Sequence, residues 1–184
     1  MQSVNHIESL IEADEWRMEI LYTVKQMQLP DWAIGAGFVR SAVWDAISGK
    51  KSRTALNDID VLYFNKSDIS EATEKSLEGD LKNRLPDIPW SVKNQARMHI
   101  QNKDSPYTDT ADAMSHWLEV ATCIGVRMRA NTSVEIIAPY GIDDLLNMQA
   151  RPTLRGQQKP DQYRLYLKKK NWLRYWPNLA IQEI

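Results

Sequence analysis

Residues 56–64 read LNDIDVLYF, a run that alternates like a strand yet carries two aspartates. Successive side chains in a strand point to opposite faces, so Asp58 and Asp60 project to one side and Ile59 and Val61 to the other. Ionised side chains are disfavoured in a protein interior unless something pairs with them. Two carboxylates this close repel, and a divalent cation relieves the repulsion. Mg²⁺ takes carboxylate oxygens as ligands and leaves its other positions to water and substrate phosphates. The pair is therefore a candidate centre for phosphoryl or nucleotidyl transfer. A solvated strand edge or a turn cap would explain the same two residues.

Upstream, residues 34–49 read IGAGFVRSAVWDAISG. WAIG is a short apolar run closed by glycine, which predicts a strand. The following stretch sets Phe38, Val39, Ala42, Val43 and Ala46 on one helical stripe, with Gly49 as its stop. Gly35 and Gly37 fall at the strand-to-helix turn. There a missing Cβ lets backbone N–H groups approach a phosphate, and the helix offers its positive end. Arg40, one helical turn in, can face the phosphates or pair with an acid, and plain helix–strand packing accounts for the turn equally well. A phosphate-holding turn followed about twenty residues later by metal-holding carboxylates forms one consistent site, and such agreement weighs more than either piece.

These two stretches resemble the head signature of the DNA polymerase β-like nucleotidyltransferase superfamily. The likeness is to the branch of class II tRNA nucleotidyltransferases (CCA-adding enzymes) and poly(A) polymerases. The later run VEIIAPYGIDDLLNMQAR (134–151) is similar to that branch's strand, proline-glycine turn and following Asp-Leu. With WSVKNQARMH (90–99), the whole looks like a bacterial family of small stand-alone nucleotidyltransferase-like proteins. The similarity covers most of residues 30–152.

The resemblance implies an α/β (α+β) head fold with a mixed, twisted sheet flanked by helices. It implies Asp58 and Asp60 as catalytic metal ligands, Mg²⁺ or Mn²⁺ as the metal, and an NTP as substrate. Gly35, Gly37 and Arg40 would hold the triphosphate. Read from the residues alone, Lys93, Asn94 and Arg97 suit phosphate or base contacts if their strand borders the site, and a polar strand edge explains them equally well. Two departures stand out. Ala36 replaces the second glycine of the family's pair, and Ser41 stands where the branch has Asp. The superfamily's third carboxylate, on a neighbouring strand, is met in WSVKNQA by Lys93 and Asn94. Glu135 could substitute only if its strand lies beside DIDVLYF.

The rest of the chain sets the frame. Its 184 residues, 43% hydrophobic and 26% charged, suit one domain with an appendage. Residues 4–28 predict an amphipathic helix or two with a break, and EATEKSLEGDLKNRL a solvated helix weakened by Gly79. WSVKNQA predicts a third strand, TADAMSHW a short helix, and CIGVRMR with SVEIIA a hairpin. Asp143 and Asp144 read as helix-terminus acids. Cys123, the single cysteine, reads as a packed thiol, and His99 and His116 lack zinc-site spacing. Most of the seven Trp and seven Tyr are expected to pack.

Residues 1–150 are read as the nucleotidyltransferase-like domain and 151–184 as a basic, aromatic-rich helical extension packed on it. Eight basic residues lie between Arg151 and Arg174, against one acid, Asp161. RNA contact through Arg151–Trp176 or a solvated face of a packed helix are the two readings of that segment. A net charge of −1 gives no whole-molecule footprint for nucleic acid. The absence of a signal peptide or a bilayer-length apolar run points to a cytoplasmic protein without a membrane partner. The function expected is metal-dependent transfer of a nucleoside monophosphate from an NTP to a hydroxyl. The alternative is an inactive nucleotide- or RNA-binding module on the same fold.

Overall fold

The computed structural model describes residues 3–184. Two helices open it, α1 (Val4–Glu12) and α2 (Glu15–Lys25). They are separated where the Asp14 side chain accepts from Arg17 N–H at 3.2 Å and caps the second. β1 (Ala33–Gly35) turns directly into α3 (Gly37–Ile47), and β2 (Ile59–Tyr63) follows. α4 (Glu71–Arg84) then crosses to β3 (Trp90–Asn94), which leads without a break into α5 (Gln95–Asn102). After α6 (Thr110–Ser115) come the hairpin strands β4 (Gly125–Met128) and β5 (Val134–Ile137). The chain closes with α7 (Asp143–Leu146), β6 (Gln149–Ala150), α8 (Leu154–Gln158), α9 (Pro160–Lys170) and β7 (Ala180–Ile181).

The main sheet has the order β3-β2-β1-β4-β5, with β2 and β3 parallel and the other neighbours antiparallel. It is the mixed sheet the sequence implied. Register divides its faces: Ile59 pairs with Trp90 and Val61 with Val92, while Asp60 pairs with Ser91 and Leu62 with Lys93. Ile59, Val61 and Val92 join Ile34 and Val126 in the core, packed against Ile20 and Val24 of α2, Val39 and Val43 of α3 and Leu81 of α4. The apolar face fixes the register, and the same alternation puts Asp60 and Ser91 on the opposite face. No helix among the described residues is long and apolar enough to cross a membrane.

Two expectations change, and one condition fails. The third strand stops at Asn94, whose side chain accepts from Ala96 N–H at 3.1 Å and starts α5, so Gln95 and Ala96 are helical. α4 is not solvated all round: Glu74 is wholly buried and accepts from Asn94 N–H (2.8 Å) and both Nε and Nη2 of Arg97 (3.1 and 2.7 Å). The condition under which Glu135 would replace the third carboxylate is not met: it is a hairpin residue of β5, separated from β2 by β1 and β4, and pairs with Arg127 at 2.7 Å. Asp143 and Asp144 occupy the first turn of α7 as expected, and Asp144 also binds Arg151 at 2.7 Å.

The aromatic residues of the C-terminal segment mostly pack. Trp172 and Trp176 meet Trp44 edge-on at 5.4 and 5.1 Å, and Trp176 Nε1–H donates to Asp45 at 2.9 Å. Gly79 has nothing within 4 Å of where a Cβ would stand. Gly79→Ala is therefore expected to stabilise the protein by about 0.5–1 kcal/mol, through lower unfolded-chain entropy. Urea denaturation checks this, and a loss of stability would mean that α4 needs the glycine.

Candidate active site

The turn between β1 and α3 concentrates its strain at one residue. Ala36 has φ 54° and ψ −118°, a conformation that L side chains avoid. The sequence placed the glycine requirement at Gly35 and Gly37, but the two play different parts. A Cβ at Gly35 would come within 2.9 Å of Leu62 Cδ1 and 3.0 Å of Trp117, so tight packing excludes one. A Cβ at Gly37 would meet only ordinary contacts at 3.5 Å, from Arg40 and Leu56. Ala36→Gly should release the turn and stabilise the fold by about 1 kcal/mol. A chemical-denaturation midpoint that falls would show that the alanine methyl contributes more than its strain costs.

Gly37, Phe38 and Val39 open α3, and the first helical bond belongs to Arg40 N–H, which donates to Ala36 C=O at 3.1 Å. The N–H groups of Gly37, Phe38 and Val39 therefore have no partner within the helix and form the positive end of its dipole. Arg40 lies beneath this turn and is buried. Its Nη1 donates to Thr122 Oγ1 at 2.8 Å, and its guanidinium lies 4.4 Å from the Trp172 ring centre. It pairs with a hydroxyl and two indole faces, not with an acid. Its buried Nε has no hydrogen-bond partner.

Thr122 ties Arg40 to a network the sequence did not reveal. The Thr122 hydroxyl donates to Glu119 at 2.7 Å, and Glu119 also accepts from Ala121 and Thr122 N–H. Because the single Thr122 proton is used there, the Tyr166 hydroxyl, 3.0 Å away, must donate to Thr122. Burial raises the Glu119 carboxyl, while Thr122 and the Arg40 charge pull it back. Tyr166 belongs to α9, so the C-terminal segment is bonded to the residues under the glycine turn.

Asp58 is exposed just ahead of β2, and Asp60 is half-buried one pleat further on. Burial first, and then the Asp58 charge, push the Asp60 carboxyl up to about 6. Lys170, a Ser91 hydrogen bond and Arg40 oppose the shift. Asp60 lines a cavity of about 610 Å³, with Ala36, Lys93, Thr122, Tyr166 and Lys170 among the other walls. Lys93 shares the Asp60 face of the sheet but is engaged with Glu74 at 3.4 Å. Asp60, Lys93 and the Ala36 turn thus meet at one cavity, while Arg40 lies behind it. Among the described residues, no three His, Cys, Asp or Glu side chains cluster as a ready metal cage.

Cys123 is buried, burial raises its thiol well above the ordinary range, and its Sγ donates to Glu119 C=O at 3.2 Å. It is packed, as expected. His99 and His116 flank Tyr107 at 6.1 and 4.8 Å, a structural placement in which His116 also reaches the cavity wall.

A mixed sheet whose first strand turns through Ala36 into a helix N-terminus, with Asp60 of the next strand at the same cavity, is the architecture of a nucleotidyltransferase head. The nucleotidyltransferase family model matches residues 22–181, and the chain belongs to that family. A solved structure described as a CCA-adding enzyme head domain is 32% identical, with a TM-score of 0.87 over 100% of this chain and 98% of that one. A tRNA-processing enzyme with CTP superposes at TM-score 0.52 with 15% identity, over 89% of this chain and 43% of that one. A further complex of a tRNA-processing enzyme gives 0.54 with 16% identity over the same shares. The chain thus spans less than half of those larger enzymes, and at that identity the likeness shows the fold alone. No curated protein matches the sequence.

Proposed function

We propose that the protein is a metal-dependent nucleotidyltransferase that moves a nucleoside monophosphate from an NTP to an acceptor hydroxyl. The observation that carries this reading is that Asp60, with the Asp58 charge acting on it, lines one cavity with Ala36 of the turn at which α3 begins. The donor set fits a divalent cation: two carboxylates on one strand face repel, and Asp60 is raised to about 6 partly for that reason. Mg²⁺ or Mn²⁺ held by Asp58 and Asp60, together with substrate phosphates, would supply charge neutralisation at the phosphorus under attack.

This chain's own residues do the rest. The N–H groups of Gly37, Phe38 and Val39 receive phosphate oxygens, and Gly37 permits their close approach. Arg40 adds fixed positive charge under the turn, held in place by Thr122 and Trp172. Lys170 extends from α9 toward Asp60, and Ser91 orients the Asp60 carboxylate. In the transfer, the acceptor oxygen bonds the α-phosphorus, the bond to the bridging oxygen breaks, pyrophosphate leaves, and the hydroxyl proton passes to solvent.

Calorimetric titration of CTP and ATP tests the reading. Binding should tighten at least about tenfold with Mg²⁺, and Asp58→Asn should remove the metal dependence. Affinity indifferent to the metal would contradict it. A second reading, nucleotide binding without turnover, is favoured by Ser91 and Lys93 occupying the face where the superfamily carries a third carboxylate. Binding without pyrophosphate release would decide for it.

The same pair predicts a pH dependence. The folded Asp60 carboxyl binds its proton more tightly than the unfolded one, so its favourable contribution is complete below pH 4 and is lost between about pH 4 and 6. Asp60→Asn removes that loss. Relative to wild type, the metal-free variant should gain about 2 kcal/mol as pH rises through this window, after allowing for screening at a part-exposed group. Mg²⁺ should narrow the gap. Parallel stability curves from pH 4 to 7 would contradict the prediction.

A further inference from the structure

The cavity extends well beyond the aspartate pair and the glycine turn. It runs along α9, whose eleven residues span about 16 Å at ~1.5 Å per residue and turn Gln162, Tyr166 and Lys170 toward it. Lys170 lies at the Asp60 end, where the two charges interact. The other end is walled by Lys103, His116, Arg155 and Lys159. His116 and Arg155 also line a second cavity of about 370 Å³ with Ser105, Ser115 and Gln158, so the two spaces meet there.

Charge sets this end apart. Five cations, Lys93, Lys103, Arg155, Lys159 and Lys170, line the first cavity against one carboxylate, Asp60, although the chain's net charge is −1. Lys93 is offset by Glu74 and Arg155 by Asp104. Lys103 and Lys159 have no carboxylate partner among the described residues. Unpaired cations on the walls of a cleft attract and hold anions. Beside them stand Gln101, Asn102 and Gln158, amides suited to hydroxyl groups. His116 Nδ1–H donates to Asp112 C=O at 2.9 Å, which fixes the ring's orientation at the cavity wall.

Two aromatic rings near this end already pack against the protein. Trp117 presses on Gly35 at 3.0 Å from its would-be Cβ, and Tyr107 is held between two imidazoles. Arg164, Lys168 and Lys169, exposed cations of α9, do not line the cavity.

We propose that this end is the acceptor subsite, and that it takes a small hydroxyl compound carrying its own phosphate. Lys103 and Lys159 hold that phosphate beside the paired Arg155, and the hydroxyl extends toward the metal end, where its oxygen displaces pyrophosphate from the NTP. The assignment rests on the nucleotidyl-transfer reading above.

The test is a two-dimensional NMR titration of the full chain with inorganic phosphate, with and without saturating CTP and Mg²⁺. Phosphate should shift the amides of Lys103, His116 and Arg155 whether or not CTP is bound, while CTP shifts Ala36 and Gly37. The double variant Lys103→Gln, Lys159→Gln should weaken phosphate binding about tenfold or more and leave CTP affinity within about twofold. Displacement of phosphate by CTP would assign this end to the nucleotide and overturn the proposal, as would wild-type phosphate affinity in the double variant. If phosphate binds here and CTP binds nowhere, the nucleotidyl-transfer reading fails. The persisting phosphate shifts distinguish that result from failure of the subsite.

Discussion

Asp60→Asn is expected to reduce nucleotidyl transfer by about a thousandfold or more while leaving the protein folded. A metal held by two carboxylates supplies several kilocalories of transition-state stabilisation, and each 1.4 kcal/mol lost is about tenfold in rate. Asparagine keeps the shape and one acceptor oxygen, so Ser91 retains its partner and β2 its register with β3. It removes the charge that opposes Lys170 and that draws a cation to Asp58. Transfer from α-labelled CTP or ATP into acceptors of a cell extract measures the loss. The rate should fall without a change in the circular-dichroism spectrum or a loss of stability at neutral pH. Unaltered transfer would show that Asp60 is a structural residue of the strand.

Gly156→Ala should have the largest effect on stability. An added Cβ would stand 2.2 Å from the Leu118 carbonyl oxygen and 2.9 Å from Pro152 Cβ. The first obstacle is backbone, and that carbonyl already accepts from Thr153 N–H at 3.1 Å, which anchors the start of α8. α8 must therefore lift away from the Leu118 segment, at a cost of about 3 kcal/mol or more. The displacement carries Arg155 and Lys159 with it, so the cavity should open as stability drops. Thermal denaturation with CTP binding reads both effects. A variant of wild-type stability would mean that α8 can shift without loss.

The part of the site that could be read from sequence is the part built locally. Strand, turn, helix and aspartate strand lie within Ala33–Tyr63, and their periodicities of 2 and 3.6 are set by the same apolar residues that form the core. The strain at Ala36 was not legible, because Gly35 and Gly37 flank it and draw attention from it. The β3–α5 junction was blurred because KNQARMH is polar on both sides of the switch, and only the Asn94 cap marks the start of the helix.

The remainder depends on contacts between distant parts of the chain. Arg40 and Thr122 are 82 residues apart, and Thr122 and Tyr166 are 44 apart. No local pattern joins them. Glu74 looked like one more acid on a charged helix until β3 and α5 placed Asn94 and Arg97 against it. In the C-terminal segment, the spacing of Gln162, Tyr166 and Lys170 carries no apolar signal, so a stripe lining the cavity reads as a solvated face. The positions that escaped the sequence are those where side chains serve a cavity or a buried polar contact between distant segments.

The most direct test is Mn²⁺ titration of ¹⁵N-labelled protein by two-dimensional NMR, with and without CTP. Paramagnetic broadening should centre on Asp58, Ile59, Asp60 and Ser91, and should extend to Ala36 and Gly37 once CTP is present. Amides that stay sharp there, while broadening scatters over exposed acids such as Asp161, would contradict a metal-dependent centre at the aspartate pair.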